Sequence, residues 1–151
     1  MNLRFVFALA ALMPACPAAL AEETRPSASL DHVALHVRDL NGSTAFYKDL
    51  FGFGEVKAPF PTARWLVMGG GLTLHIVSGR TEPLTNTKWD HFAISCADLR
   101  KMIADLDAKK IAWTDIQGKH EPQVRPDGVQ QIFIRDPDGY WIEINDALKS
   151  R

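Results

Sequence analysis

The sequence predicts an α+β fold in which two βαβββ modules form a half-open, cup-shaped mixed sheet. The first observation behind this is an internal repeat: "LDHVALHVRDL" from Leu30 and "WDHFAISCADL" from Trp89 align without a gap and place His32 on His91. The second is that the same order of helix and strand patterns follows each copy. A repeat of this kind indicates that one structural unit occurs twice in the chain.

Each copy starts with a strand pattern and continues into a helix. Residues 40–51 place aromatic and aliphatic side chains at helical spacing, and Gly52 supplies the stop signal. In the second copy Asp98 is suited to cap a helix. The apolar face of that helix would consist of Leu99, Met102, Ile103 and Leu106.

Three short strands are predicted after each helix. In the first module they are Gly54–Lys57, Arg64–Met68 and Leu72–Ser78, and in the second they are Ile111–Gln117, Val129–Arg135 and Tyr140–Asn145. The turn "DPDG" at Asp136–Gly139 predicts a tight hairpin between the last two. The polar stretch Gly118–Gly128 is the longest irregular one, and we expect it to form a flap over a site.

The first 21 residues follow the pattern of a secretory signal peptide. A short positive opening is followed by the apolar run Phe5–Met13 and by the small residues Ala19–Ala21. A membrane anchor would need about 20 apolar residues, and prolines interrupt this run. Lipidation at Cys16 is an alternative. We therefore expect export, to the periplasm or outside the cell, followed by a linker at 22–29, one domain at 30–146 with modules 30–79 and 89–146, and a tail at 147–151.

Composition narrows the classes of partner. The formal net charge is −1 without a basic cluster, so nucleic acid is not expected as a partner. No run after Ala21 is apolar enough to cross a membrane. Removal of Cys16 would leave Cys96 alone, so no intrachain disulfide can form, and we interpret Cys96 as a small buried hydrophobe.

The alternation of strand residues selects four candidate metal ligands. Alternate residues face opposite sides of a sheet, so His32 and His91 point away from the apolar faces of their strands. His75 and Glu143, on the closing strand of each module, stand between aliphatic neighbours that face the other way. For any one histidine a structural hydrogen-bonding role is the better interpretation, but the same placement in both modules favours a common site. The candidate set is His32, His75, His91 and Glu143.

Three imidazoles and one carboxylate suit a divalent ion such as zinc, iron, manganese, cobalt or nickel better than calcium. Four protein ligands alone would make a closed structural site, whereas six-coordination would leave two places for water or substrate. His36 lies about 13 Å from His32 along the same strand, so we interpret it as a pocket or core residue. His120 lies in a polar loop and is expected to be solvated.

The chain resembles the vicinal oxygen chelate superfamily, which contains glyoxalases, extradiol dioxygenases and bleomycin-resistance proteins. The resemblance covers Leu30 to Asp146 and depends on "LDHVALHVRDL", "AFYKDLFGF", "LTLHIV", "WDHFAIS" and "IRDPDGYWIEI". It implies paired modules around a metal whose ligands come from the first and last strands, which map onto the same four residues. Glyoxalase I usually has glutamate where this chain has His75, so the subfamily stays open. Members are often dimers, sometimes with a site built from two chains, and the linker Thr81–Lys88 is compatible with either arrangement.

The first functional hypothesis is a metal-dependent lyase or isomerase of the glyoxalase type, acting on a small oxygen-chelating substrate with Glu143 as general base. An Fe(II) extradiol-type dioxygenase, which needs two histidines and a carboxylate, is the second. A small-molecule or drug-binding protein of the bleomycin-resistance type is the third, although such proteins usually lack the metal residues. Candidate pocket contacts, for which strand packing is an equally good interpretation, are Arg64, Trp65, Trp113 and Arg135.

Overall fold

The structure is a computed structural model that describes residues 28–150. The predicted signal peptide and Cys16 lie outside the described residues, as does most of the predicted linker at 22–29. None of the helices described in residues 28–150 combines the length and the apolar character needed to cross a membrane.

The chain forms two mixed sheets, one for each module, and the predicted α+β class is confirmed. Module 1 consists of β1 His32–Val37, α1 Leu40–Phe51, β2 Gly54–Val56, β3 Ala63–Gly69 and β4 Leu72–Ser78, with strand order β1-β4-β3-β2. Module 2 consists of β5 His91–Ser95, α2 Leu99–Ala108, β6 Trp113–Thr114, β7 Gln123–Val124, β8 Gln130–Arg135 and β9 Trp141–Asn145, with order β5-β9-β8-β6 and β7 also paired to β8. The 3₁₀ helix Ala147–Ser150 follows. In both sheets the first and last strands of the module are parallel neighbours.

α1 spans the predicted residues 40–51 and ends at Gly52, and α2 begins after the predicted cap Asp98. The Asp39 carboxylate accepts hydrogen bonds from the backbone N–H groups of Asn41 and Gly42, and α1 ends where Gly52 adopts a left-handed conformation with φ of 69°. Asp98 accepts from the backbone N–H of Lys101 at the start of α2. These contacts satisfy backbone groups that a helix end leaves without intrahelical partners.

Module 2 departs from the strand prediction in two places. β6 is two residues long instead of covering Ile111–Gln117, because the chain turns at Asp115. The Asp115 carboxylate accepts from the backbone N–H of Lys119, and the Asp115 N–H donates to the Lys119 carbonyl, both at 2.7 Å. Within the expected flap, β7 pairs with the edge of β8, so part of that segment is a strand.

One hydrophobic core joins both modules and confirms the predicted strand faces. On β1 the side chains of Leu35 and Val37 are buried, whereas His32, Ala34 and His36 are exposed. The core also contains Tyr47, Leu66, Leu74, Ile76, Leu99, Leu106, Ile132, Ile134, Ile142 and Ile144, all with at most 1% exposure. The helices cover this apolar side, so the histidine-bearing face of β1 stays open in the single chain.

A buried ion pair holds the hairpin turn of module 2 against module 1. Asp138 in that turn receives hydrogen bonds from Arg80 Nη2 at 2.5 Å, Ser43 Oγ at 2.7 Å and the Arg38 backbone N–H at 2.9 Å. Arg80 also donates from Nε to the His36 carbonyl at 2.9 Å. Since Arg80 and Asp138 are each 8% exposed, the pair lies almost entirely out of water.

A second buried carboxylate strengthens the same contact. The Tyr47 hydroxyl on α1 donates to Asp136 at 2.8 Å, and the backbone N–H groups of Asp138 and Tyr140 donate to the other oxygen of Asp136. The Tyr140 hydroxyl in turn donates to the His36 carbonyl at 3.1 Å. The turn is thus bonded to β1, to α1 and to Arg80, two residues after the end of β4.

The pKa values of the two buried carboxylates in the turn are shifted in opposite directions. Burial raises the pKa of Asp136 above its ordinary value, against the hydrogen bonds that Tyr47 and the turn provide. Burial also acts to raise the pKa of Asp138, but hydrogen bonds from Ser43, the Arg38 N–H and Arg80 outweigh it and leave that pKa below its ordinary value. Asp138 therefore keeps its negative charge to a lower pH than Asp136 does.

We expect Arg80→Met to lower the free energy of unfolding by about 3–5 kcal/mol, because removing one partner of a buried ion pair leaves the other charge without compensation. Urea unfolding followed by tryptophan fluorescence measures this. Lys101→Met is the matched control, since Lys101 pairs with Asp105 on the exposed face of α2 and such pairs contribute about 0.3–0.5 kcal/mol. Equal losses of unfolding free energy in the two variants would contradict a structural role for the ion pair between Arg80 and Asp138.

Candidate functional site

The four candidate ligands lie in two pairs, one on each sheet. His32 and His75 come from the parallel strands β1 and β4, and their ring centroids are 4.1 Å apart with an interplanar angle of 10°. His91 and Glu143 come from the equivalent strands β5 and β9, with 3.2 Å between Nε2 and Oε2. In each sheet the ligand on the last strand is in register with the alanine two residues beyond the histidine, Ala34 or Ala93. The repeat therefore produces the same layout twice.

Stacking and hydrogen bonds fix the first pair. Trp65, in register with His75 on β3, stacks on it with centroids 4.2 Å apart and 4° between the planes, so three rings form one column. His32 Nδ1 lies 2.7 Å from Asp31 Oδ2, and His75 Nε2 lies 3.0 Å from Thr73 Oγ1. An ionised carboxylate only accepts, so the proton of His32 belongs on Nδ1 and the lone pair of Nε2 is left free.

Alternation along a strand would place Asp31 on the face opposite His32, but the Asp31 carboxylate lies at the His32 ring. Asp31 precedes β1, outside the regular alternation, so its carboxylate can turn back to the ring of His32. Asp90, its counterpart before β5, instead accepts from the backbone and hydroxyl of Thr87.

In the second pair, the hydrogen bond of His91 to a backbone carbonyl leaves its other ring nitrogen facing Glu143. This arrangement favours a cation between the two residues. His91 Nδ1 lies 2.6 Å from the Lys88 carbonyl, which only accepts, so the proton is on Nδ1. The lone pair of Nε2 then faces the Glu143 carboxylate at 3.2 Å. Two acceptors at this distance repel each other unless a proton or a metal ion lies between them. A backbone carbonyl that orients a histidine in this way is typical of metal-binding sites.

Glu143 is buried, with 7% exposure, and other side chains hold its second oxygen. Asn145 Nδ2 donates to Oε1 at 2.7 Å, and Arg125 Nη1 lies 3.8 Å from the same atom. Arg125 belongs to the polar stretch expected to form a flap, and it reaches the site because β7 attaches that stretch to β8. Sequence analysis missed both Asn145 and Arg125. Asn145 stands two residues after Glu143 on the same face of β9, a signal that alternation alone provides.

A single chain does not gather the four ligands around one point. Across residues 28–150, no group of three or more His, Cys, Asp or Glu side chains is placed to hold a metal ion. The donor types of each pair suit a divalent transition ion, but two donors are too few, since structural and catalytic zinc sites use at least three protein ligands. Each pair therefore fits half of a metal site, and the role of His32, His75, His91 and Glu143 as ligands stays a prediction.

The environment of the first pair keeps His75 neutral. Burial lowers the pKa of His75, and the neighbouring His32 ring lowers it further by repulsion of a second positive charge, against a smaller opposite effect of Asp31. A neutral imidazole is the form that binds a metal.

The remaining candidates have mainly structural contacts. Arg64 faces Glu55, with 3.4 Å between Nε and Oε1, and Trp113 is buried with 6% exposure. His120 is exposed, as expected, and packs on Trp113. His36 is also exposed, so the interpretation of it as a core residue is wrong. Arg135 lies over the Trp141 ring at 4.3 Å.

The same chain regions match a known protein family. The profile of the Glyoxalase/Bleomycin resistance protein/Dioxygenase superfamily matches residues 29–144. The chain belongs to this superfamily. The resemblance inferred from the repeated strands and the hairpin motif is thus confirmed, and it covers both modules.

Two plant proteins and one bacterial structure illustrate the relationship. The chain is 30% identical over 129 residues to "Glyoxylase I 4" of Arabidopsis thaliana, covering 77% of this chain and 69% of that protein. It is 29% identical over 123 residues to "Lactoylglutathione lyase GLX1" of the same plant, covering 75% of this chain but 42% of that protein. The crystal structure of lactoylglutathione lyase from Agrobacterium tumefaciens superimposes with a TM-score of 0.60 at 22% identity, covering 80% of this chain and 94% of that chain. The solved structure establishes a shared fold.

We expect His75 of the metal-free protein to titrate below its ordinary pKa of 6.5, because burial and the His32 ring both disfavour its charged form. A pH titration of the imidazole signals by long-range ¹H–¹⁵N NMR measures this. In His32→Ala the pKa of His75 should rise toward the ordinary value as the repulsion is removed. A His75 that titrates at or above 6.5 in the unmodified protein would refute this account of the stacked pair.

Proposed function

We propose that the protein is a divalent-metal-dependent enzyme of the glyoxalase type, a lyase or isomerase acting on a small substrate with two adjacent oxygens. The observation that carries this proposal is the arrangement of His91 Nε2 and the Glu143 carboxylate, which lie 3.2 Å apart on the neighbouring strands β5 and β9. Membership of the superfamily and the relatives named glyoxylase and lactoylglutathione lyase support it.

The residues that would hold the ion are His32, His75, His91 and Glu143. A divalent ion bound there would supply Lewis acidity, which stabilises negative charge on a substrate oxygen. Glu143 is our candidate general base, which takes a proton from the carbon beside the substrate carbonyl and returns it to the neighbouring carbon. The amide of Asn145 holds Oε1 at 2.7 Å, so Oε2 is the oxygen left to accept the proton.

We further propose that the complete site forms between two copies of the chain. The pair of His32 and His75 from one copy would meet the pair of His91 and Glu143 from the other, which raises the number of donors from two to four. The exposure of His32 and Ala34 on β1 and of Ala93 on β5 supports this, because solvent reaches part of each ligand-bearing face in the single chain. Trp89, two residues before β5, is 79% exposed and adds apolar surface beside the second face. A two-fold dimer would contain two such sites.

Mixing two inactive variants tests whether the site is shared. The double variants His32→Ala/His75→Ala and His91→Ala/Glu143→Ala should each fail to bind divalent metal. When they are unfolded together and refolded, mixed dimers should regain one intact site each, so about a quarter of the original metal content returns, since about half of the dimers are mixed. Elemental analysis after gel filtration measures the content. No recovery in verified mixed dimers would mean that both pairs must come from one chain, and the shared site would be rejected.

The chemistry is tested by replacing the proposed base. We expect Glu143→Gln to lower kcat for the hemithioacetal of methylglyoxal by about 10²–10⁴-fold, because an amide cannot accept the proton. Glu121→Gln, at an exposed loop residue, is the matched control and should leave kcat unchanged. Metal-loaded protein that turns over no dicarbonyl adduct would reject the lyase version. Oxygen uptake with a catechol and Fe(II) would instead favour the dioxygenase alternative.

A further inference from the structure

A small cavity opens beside the second ligand pair. Its volume is about 220 Å³, and Ile111, Trp113 and Phe133 form its apolar side, with Arg135 and Trp141 also lining it. The edge of Phe133 contacts the ring of His91, with centroids 5.2 Å apart. Trp141 stands two residues before Glu143 on the same face of β9, roughly 6–7 Å along the strand. A group bound in the cavity would therefore lie next to the proposed base.

Two cations lie near the indole of Trp141, and one of them, Arg135, lines the cavity. The guanidinium carbon of Arg135 lies 4.3 Å from the ring centroid, and Lys88 Nζ lies 5.2 Å from it. Lys88 Nζ donates to Thr114 Oγ1 and to the Asp115 carbonyl, both at 2.7 Å, and both partners are uncharged. Neither cation has a carboxylate partner within the described range 28–150, so their positive charge is not neutralised by the chain described.

Trp141 also contains a donor that lacks an acceptor. Its Nε1 is buried and has no hydrogen-bond partner in residues 28–150. Buried indole N–H groups usually find an acceptor, and leaving one without an acceptor costs free energy. Trp141 thus has an indole N–H without an acceptor, and it lies beside two cations whose charge no described carboxylate neutralises.

We propose that this cavity binds a carboxylate group of the substrate together with the short apolar or aromatic stem that bears it. The inference deepens the proposed function, on which it rests, by naming the chemical class of the substrate. A planar guanidinium donates two parallel hydrogen bonds to a carboxylate, and its stacking on Trp141 orients the fork. The apolar side takes the stem, because a cavity of about 150 Å³ already accommodates a benzene ring. Whole ligands of drug size need about 300–1,000 Å³, so the rest of the substrate extends toward Glu143.

Phenylacetate is the probe, and binding is measured on metal-free protein so that the metal site does not contribute. We expect phenylacetate to bind at least about tenfold more tightly than its neutral isostere phenylacetamide, because the charge-assisted hydrogen bond is lost in the amide. In ¹H–¹⁵N spectra the indole signal of Trp141 should shift on binding, while that of the exposed Trp89 should not. Isothermal titration calorimetry supplies the dissociation constants.

Arg135→Gln should weaken phenylacetate binding about tenfold or more without affecting phenylacetamide. Arg100→Gln is the matched control, since Arg100 is exposed on α2, and it should bind like the unmodified protein. Circular dichroism checks that both variants fold. Equal binding of acid and amide, or an unchanged Arg135→Gln, overturns the subsite. Benzyl phosphate binding more tightly than phenylacetate overturns the assignment to carboxylates.

Glu143→Gln separates this inference from the proposed function. We expect it not to weaken phenylacetate binding, since Glu143 does not line the cavity and the neutral amide does not repel a carboxylate. Carboxylate binding that persists in a protein without metal-dependent turnover would reject the enzyme and keep the subsite. Metal-dependent turnover in a protein whose binding of acids does not depend on Arg135 would reject the carboxylate subsite and keep the enzyme.

Discussion

The buried ion pair between Arg80 and Asp138 fixes how the two modules are joined. Arg80 lies just beyond the end of β4, and Asp138 lies in the turn that leads into β9. These are the strands that carry His75 and Glu143, the last-strand ligand of each module. Arg80 also donates a hydrogen bond to the carbonyl of His36 near the end of β1. The ion pair therefore connects the ends of three strands that carry candidate ligands, β1, β4 and β9. The positions of both ligand pairs within one chain depend on it.

The two modules show how one layout can carry different chemistry. In module 1 the pair consists of stacked imidazoles, and burial together with repulsion from His32 lowers the pKa of His75. In module 2 the equivalent pair places an imidazole lone pair against a carboxylate, which introduces negative charge on a buried strand. One half offers two imidazoles, and the other offers an imidazole and a carboxylate, a donor set that would suit a divalent transition ion.

The shared fold does not decide the reaction, because members of one fold carry different functions on differently equipped sites. Three local features characterise the site of this chain. His75 is stacked between Trp65 and His32, and Arg125 lies near Glu143. A cavity lined by Arg135 lies beside Trp141, two residues before the proposed base on β9. The negative charge of Glu143 and the positive charge of Arg135 lie on the same face of one sheet. A substrate with an acidic end and an electrophilic end would meet complementary charge at each.

The sequence by itself determined the modules, the helix caps and the face of each strand residue. These follow from covalent geometry, since side chains alternate along any strand and a capping aspartate acts on the residues directly after it. It also indicated the four candidate ligands, because the repeat placed His32 with His91 and His75 with Glu143. The pairing of strands then decided that these residues lie in two separate pairs within one chain. Loop conformation decided the rest. Lys88 reaches Thr114 and Asp115, and Arg125 reaches Glu143, across segments distant in sequence for which no local periodicity exists. Asp31 contacts its neighbour His32 because it precedes the regular part of β1.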